Sequence, residues 1–157
     1  MEKCYQFCYT ELDDMSHLSE SDLWLLRRAM SAAEKAYCPY SRFQVGAALR
    51  LGNGAVVVGN NQENMAYPSG MCAERVAMYG ASAQYPDVAF DAMALIARDS
   101  GGNYVEAAPC GACRQVMVEY SRRHGRKMRL ILYTTSGKIR CFNDVENLLP
   151  FSFDADL

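Results

Sequence analysis

Phe90-Asp91-Ala92-Met93-Ala94-Leu95-Ile96-Ala97 is an apolar run of strand length. It lacks the in–out alternation of a strand with one wet face, so it reads as a strand covered on both faces. Cover of that kind comes from helices, and helix-forming stretches flank the run on each side. Cys72 to Tyr85 is rich in Ala, Glu, Arg, Met and Gln, and Pro86 follows its end. After a loop at Ser100-Gly101-Gly102-Asn103, Pro109 opens a further helix that runs to about Arg123 and stops at Gly125.

Further out, the pattern repeats. Phe43, Val45, Ala47, Leu49 and Leu51 alternate with Gln44, Gly46, Ala48 and Arg50, which predicts a strand. Gly52-Asn53-Gly54 is a turn signal, and residues 55–59 form the return strand. Before them, Ser19-Glu20-Ser21-Asp22 resembles a capping box with Asp in place of Glu. Leu23, Leu26, Met30, Ala33 and Tyr37 follow at helical spacing, predicting a helix over 20–36 that Pro39 ends. On the far side, 130–134 and 138–142 read as two strands about Ser136-Gly137, and 145–149 as a short helix closed by Pro150. Residues 1–18 show no period and read as an arm. The order α-β-β-α-β-α-β-β interleaves helices and strands, so the expectation is an α/β fold with three layers, α/β/α, around a five-stranded sheet.

The 157 residues predict a single domain, 1–157, large enough for a core without disulfides. A net charge of -2 gives no field favouring nucleic acid or an anionic membrane. There is no apolar run long enough to span a bilayer, and Met1-Glu2-Lys3-Cys4-Tyr5 does not begin a secretory leader, so a cytoplasmic protein is expected. Seven cysteines, odd in number and irregularly spaced, suit metal or core roles better than a disulfide framework.

Three of those cysteines fall at predicted helix starts. Cys72 opens one helix; Cys110 and Cys113, three apart, share a face in the first turn of another. Helix N-termini present unpaired N–H groups and a positive dipole end, which favour the thiolate a metal needs. Three ligands is the number a catalytic zinc keeps when its fourth position is left for water. Glu74, two residues past Cys72, is placed to move a proton of that water. Arg75 beside it offsets the charge of three thiolates. Other readings stand beside this one. The Cys-x-x-Cys alone also fits a redox pair, half of a closed structural zinc site, or two core cysteines. Glu74 also fits a carboxylate stabilising a helix start. Against a closed site, the two histidines, His17 and His124, lie far from these stretches in sequence.

Cys-Ala-Glu-Arg at 72–75 with Pro-Cys-Gly-Ala-Cys-Arg-Gln at 109–115 resembles the small, homotetrameric, zinc-dependent cytidine deaminases of nucleoside salvage. Tyr40-Ser41-Arg42-Phe43-Gln44-Val45-Gly46-Ala47-Ala48, Asn61-Gln62-Glu63-Asn64 and Leu148-Leu149-Pro150-Phe151-Ser152-Phe153 are similar to further segments of that family. The resemblance covers about 20–157 and leaves 1–18 without a role. It implies a mixed central sheet and a Zn2+ held by Cys72, Cys110 and Cys113. It implies Glu74 as the catalytic acid and base, and Ala73 as a source of backbone contacts to the base. It further implies Phe43 against the pyrimidine, Asn61 and Glu63 on the ribose hydroxyls, and Phe153 reaching a neighbouring subunit's site in a homotetramer. The implied reaction converts cytidine and 2'-deoxycytidine to uridine and 2'-deoxyuridine with release of ammonia. From the residues alone, Asn61 and Glu63 also read as solvated loop residues, Phe43 as a core position and Phe153 as a docking anchor. Alternative functions are deamination of a blasticidin S-type nucleoside antibiotic and a non-catalytic zinc protein. Polynucleotide editing is disfavoured by Cys72 where such enzymes carry His. The basic cluster Arg122-Arg123-His124-Gly125-Arg126-Lys127 reads as a solvated helix end before it reads as a nucleic-acid patch.

Overall fold

The computed structural model describes residues 1–154, so the last three residues of the predicted domain span lie outside it. Among the described residues three α-helices pack on one seven-stranded sheet: β1 Thr10–Leu12, α1 Glu20–Ala33, β2 Gln44–Leu51, β3 Val56–Asn60, α2 Ala73–Gln84, β4 Phe90–Arg98, β5 Tyr104–Val105, α3 Gly111–Arg123, β6 Arg129–Tyr133 and β7 Ile139–Phe142. The sheet order is β1-β7-β6-β4-β2-β3, with β5 also paired to β4. β4 and β6 are parallel, because α3 carries the chain back between them; the other pairs are antiparallel, so the sheet is mixed.

β4 is central and covered on both faces. Met93 and Leu95 point to one side with Leu49 and Leu130, against Ala77, Met78 and Ala81 of α2 and Met117 of α3. Ala92, Ala94 and Ile96 point to the other with Ala48 and Ile131, against Leu25, Leu26, Ala29 and Ala33 of α1. The period of two along a strand divides one apolar run between two cores. This is the expected three-layer α/β/α arrangement.

Three details differ from expectation. The sheet has seven strands and not five, because Thr10–Leu12 of the arm pairs with β7 and Tyr104–Val105 pairs with β4. These two strands are too short to show a period, and their pairing is entirely non-local. α1 stops at Ala33, short of 36, because Tyr37 turns away to exchange backbone bonds with Asn61 and Glu63. Pro109 lies just before α3, whose N-cap is Cys110. Ser19 caps α1 as anticipated, accepting from the Asp22 N–H at 3.2 Å. Asp22 itself is buried, where Arg129 and Arg50 reach its carboxylate at 3.0 and 3.1 Å. No helix among the described residues is long and apolar enough to cross a membrane.

Two glycines set how closely the helices approach the sheet. A Cβ on Gly46 would meet α1 at Ala33 N, 2.5 Å away. A Cβ on Gly59 would stand 2.6 Å from Ala77 N and closer still to the Ala73 carbonyl oxygen. Gly59 therefore lets the first turn of α2 lie directly on β3. Gly59→Ala is expected to cost about 3 kcal/mol through overpacking. It should also lower zinc affinity, since the displaced turn carries Cys72; thermal melting and zinc titration check the two effects separately.

Candidate active site and metal centre

α2 and α3 lie on the same sheet face and bring their N-terminal ends together. Cys72 is the N-cap of α2 and Cys110 the N-cap of α3, and neither makes a side-chain capping bond. Both have extended backbone (φ -70° and -66°), as an N-cap requires. Cys113 sits inside the first turn of α3 and is fully buried. The Cys72 and Cys110 Sγ atoms are 3.9 Å apart, and those of Cys110 and Cys113 are 3.5 Å apart. All three sulfurs lie within 4.8 Å of one another. A tetrahedral zinc with ordinary Zn–S bonds needs sulfurs about 3.8 Å apart. The donor set therefore fits zinc in number, softness and spacing. Among the described residues no fourth His, Cys, Asp or Glu joins the cluster, which leaves one coordination position for a water.

The electrostatics favour ionisation of one thiol of the three, Cys72. Hydrogen bonding from Cys113, helped by Arg75 and Cys110, lowers the Cys72 thiol to about 5 against the opposing effect of burial. The Cys113 thiol is correspondingly pushed up by its bond to Cys72 and by burial. Arg75 Nη2 lies 3.7 Å from Cys72 Sγ and contributes positive charge to the cluster.

Glu74 is 4% exposed, at the floor of a cavity of about 780 Å³. Burial pushes its carboxyl up, and the neighbouring Cys72 charge adds to that. A carboxyl raised in this way exchanges protons nearer neutrality than an exposed one. Cys72, Ala73, Arg75 and Cys110 also line the cavity. Its volume suits a small molecule.

Phe43, Asn61 and Glu63 line the same cavity, across from the helix starts. Arg42 adopts a left-handed backbone (φ 56°) at the turn that delivers Phe43, and the Phe43 N–H donates to Ser41 Oγ at 3.0 Å. The Asn61 amide continues the strand ladder: Nδ2 donates to the Phe43 carbonyl and Oδ1 accepts from the Val45 N–H, both at 2.8 Å. Glu63 accepts from the Tyr40 and Ser41 N–H groups at 2.9 and 3.2 Å, and from the Ser41 hydroxyl. That hydroxyl bond, with the two backbone bonds, holds the Glu63 carboxyl low against burial. Both loop residues thus organise the Phe43 turn from within the cavity wall.

Phe153 lies apart from this cavity lining. Its ring is exposed, and its backbone is clasped by Gln115, whose amide accepts the Phe153 N–H and donates to its carbonyl, each at 2.9 Å. Tyr40, Tyr67 and Met71 also line the cavity, though the sequence reading assigns none of them a site role. The Tyr40 and Tyr67 rings meet edge to face at 6.3 Å. Tyr67 belongs to a one-turn 3-10 segment, Tyr67–Ser69, too short to leave a periodic signal. The basic cluster is largely neutralised: Arg122 pairs with Glu146 and Asp154, Arg126 with Asp91, and Lys127 with Asp144.

A thiolate cluster open at one position and a buried carboxyl lining the adjoining cavity belong to a metal-dependent hydrolase. The family model for the cytidine and deoxycytidylate deaminase zinc-binding region matches residues 19–125. The chain is 40% identical to the cytidine deaminase of Halalkalibacterium halodurans over 132 residues, 84% of this chain and 93% of that one. It is 41% identical over 128 residues to that of Mycobacterium tuberculosis, covering 82% and 86%. The crystal structure of the cytidine deaminase from Burkholderia pseudomallei superimposes with a TM-score of 0.72 at 37% identity, across 87% of this chain and all of that one. The chain belongs to the cytidine and deoxycytidylate deaminase family.

Proposed function

We propose that this chain catalyses the hydrolytic deamination of cytidine and 2'-deoxycytidine to uridine and 2'-deoxyuridine, releasing ammonia, in cytoplasmic pyrimidine salvage. The observation that carries the reading is Glu74, buried beside the three-sulfur cluster on the floor of a nucleoside-sized cavity. Zinc held by Cys72, Cys110 and Cys113 would supply acidity to a water in the position left open. Glu74 takes a proton from the attacking water and delivers one to the ring nitrogen of cytosine. It then takes the proton of the new C4 hydroxyl and passes it to the amine as the bond from C4 to nitrogen breaks and the carbonyl forms. One water enters and one ammonia leaves, so Glu74 ends as it began. Arg75 offsets thiolate charge, and the Ala73 backbone contacts the base. Phe43 packs against the pyrimidine. Asn61 and Glu63 meet the ribose hydroxyls with the acceptor capacity their internal bonds leave free.

The exposed side chains of Tyr67, Phe151 and Phe153 support a homotetramer with shared active sites, in which Phe153 reaches a neighbouring subunit. Cytidine turnover, followed by loss of the cytosine absorbance and by ammonia release, tests the reaction. Cytidine should be consumed with blasticidin S acting as no more than a weak competitor; consumption of blasticidin S alone would reassign the substrate. Sedimentation of an active monomer would remove Phe153 from the site.

A further inference from the structure

The two capping cysteines are held on their N-terminal sides in different ways. Cys72 follows Met71, which exchanges two backbone hydrogen bonds with Gln62 at 2.8 and 2.9 Å. Cys110 follows Glu106-Ala107-Ala108-Pro109, which has no regular structure and ends in a residue without an N–H. Its first residue, Glu106, is tied by its N–H to Thr135 Oγ1 at 2.9 Å and by its carboxylate to Arg140; next to Cys110 itself, the tie is a side chain. Arg114, directly after Cys113, donates from Nε to the Pro109 carbonyl at 2.8 Å and from Nη1 to the Leu148 carbonyl at 3.0 Å. One planar guanidinium thus joins the peptide before Cys110 to the segment 145–148. Its two donors leave in fixed directions, a geometry that a lysine ammonium does not reproduce.

The segment at the far end of this bridge is itself anchored. Val145 is fully buried, and its N–H donates to the Met128 carbonyl at 3.0 Å. Asp144 accepts from the Glu146 N–H at 3.0 Å and pairs with Lys127 at 3.3 Å. The N-terminal arm reaches the same segment. The Tyr5 hydroxyl donates to Asn147 Oδ1 at 3.0 Å. Phe7 and Tyr9 lie 6.4 and 5.5 Å from the Phe142 ring, and β1 pairs with β7. The arm lies outside the family match, which begins at residue 19.

We propose that Arg114 is a positioning residue for the metal centre, and that the N-terminal arm acts on the same Cys110 turn through residues 144–148. The inference rests on Cys72, Cys110 and Cys113 being the zinc ligands. Bracing the peptide before Cys110 holds its sulfur at the separation zinc requires, so loosening the brace speeds loss of the metal. The arm is then a determinant of metal retention added to the shared family domain.

The test is zinc release from the full-length, zinc-loaded protein into a chromogenic chelator. Arg114→Met should release zinc about tenfold faster or more, the usual scale for losing a group that orients a ligand. Arg114→Lys should fall between it and wild type, and millimolar guanidinium should slow release from Arg114→Met. Tyr5→Phe, and removal of residues 1–12, should each accelerate release, by less than Arg114→Met. Release from Arg114→Met within twofold of wild type overturns the role of Arg114. Unchanged release after removal of the arm overturns the arm's part. If Arg114→Met does not fold, Arg114→Lys and Tyr5→Phe carry the test, since both keep the core intact. A wild-type protein that takes up no zinc would instead sink the metal reading itself, so the two failures are distinguishable.

Discussion

Glu74→Gln is expected to keep its zinc and its fold while deaminating cytidine about 10³- to 10⁴-fold more slowly. The amide matches the carboxyl in shape, so the 4% exposed site has no reason to collapse. It can neither accept the proton of the attacking water nor return one to the base or the leaving amine. The stability effect has the opposite sign. Burial raises the Glu74 carboxyl above its unfolded value. Any stability linked to that group is fully present below the unfolded pKa and is lost as pH rises through the folded one. A glutamine does not ionise, so near neutrality the metal-free variant should melt at or above the wild-type temperature. Loss of activity with unchanged zinc and an undiminished melting point separates a catalytic role from a structural one. Retention of more than a tenth of the wild-type rate would show that another group carries the proton.

Cys113→Ala is expected to abolish zinc binding at micromolar metal, and with it deamination. Cys113 is fully buried within the cluster, and no fourth ligand group stands among the described residues to replace it. Two thiolates alone leave a tetrahedral zinc half-ligated and open to chelators. The fold should survive, because replacing one buried thiol by hydrogen costs about 1 kcal/mol. Metal analysis and far-ultraviolet circular dichroism on the same sample check both halves. By contrast, Cys4→Ser should leave zinc content unchanged, since Cys4 is exposed and outside the cluster. Full zinc occupancy in Cys113→Ala would mean that the ligand set is wrong.

Much of the candidate site is legible in the sequence, because its parts are local. Cys72 and Glu74 lie two residues apart, and Cys110 and Cys113 three apart, so helical geometry already relates each pair. What joined the pairs at sequence level was resemblance to a family. Spacing alone also allowed a redox pair or a closed structural site. Asn61 and Glu63 were marked as substrate contacts by the same resemblance. Their hydrogen bonds to the Phe43 turn were not readable, since those partners lie 16 to 23 residues away. Arg114 drew no attention for the same reason: one of its two carbonyls is 34 residues distant. Asp22 read as an ordinary helix-start carboxylate, yet it is buried against Arg129, 107 residues along the chain.

The sequence by itself determined the layers, the helix starts and the chemical character of the ligands. Those follow from the apolar run at 90–97, from residue periodicity and from capping positions, all interactions of short range. Only the tertiary structure decided that the two helix starts meet, that the arm adds a strand beside β7, and that Arg114 braces the turn before Cys110. These depend on how β4 and β6 align in parallel and on how close Gly59 lets α2 approach the sheet. Packing distances and long-range register are set by the whole core at once, and no local stretch of sequence encodes them.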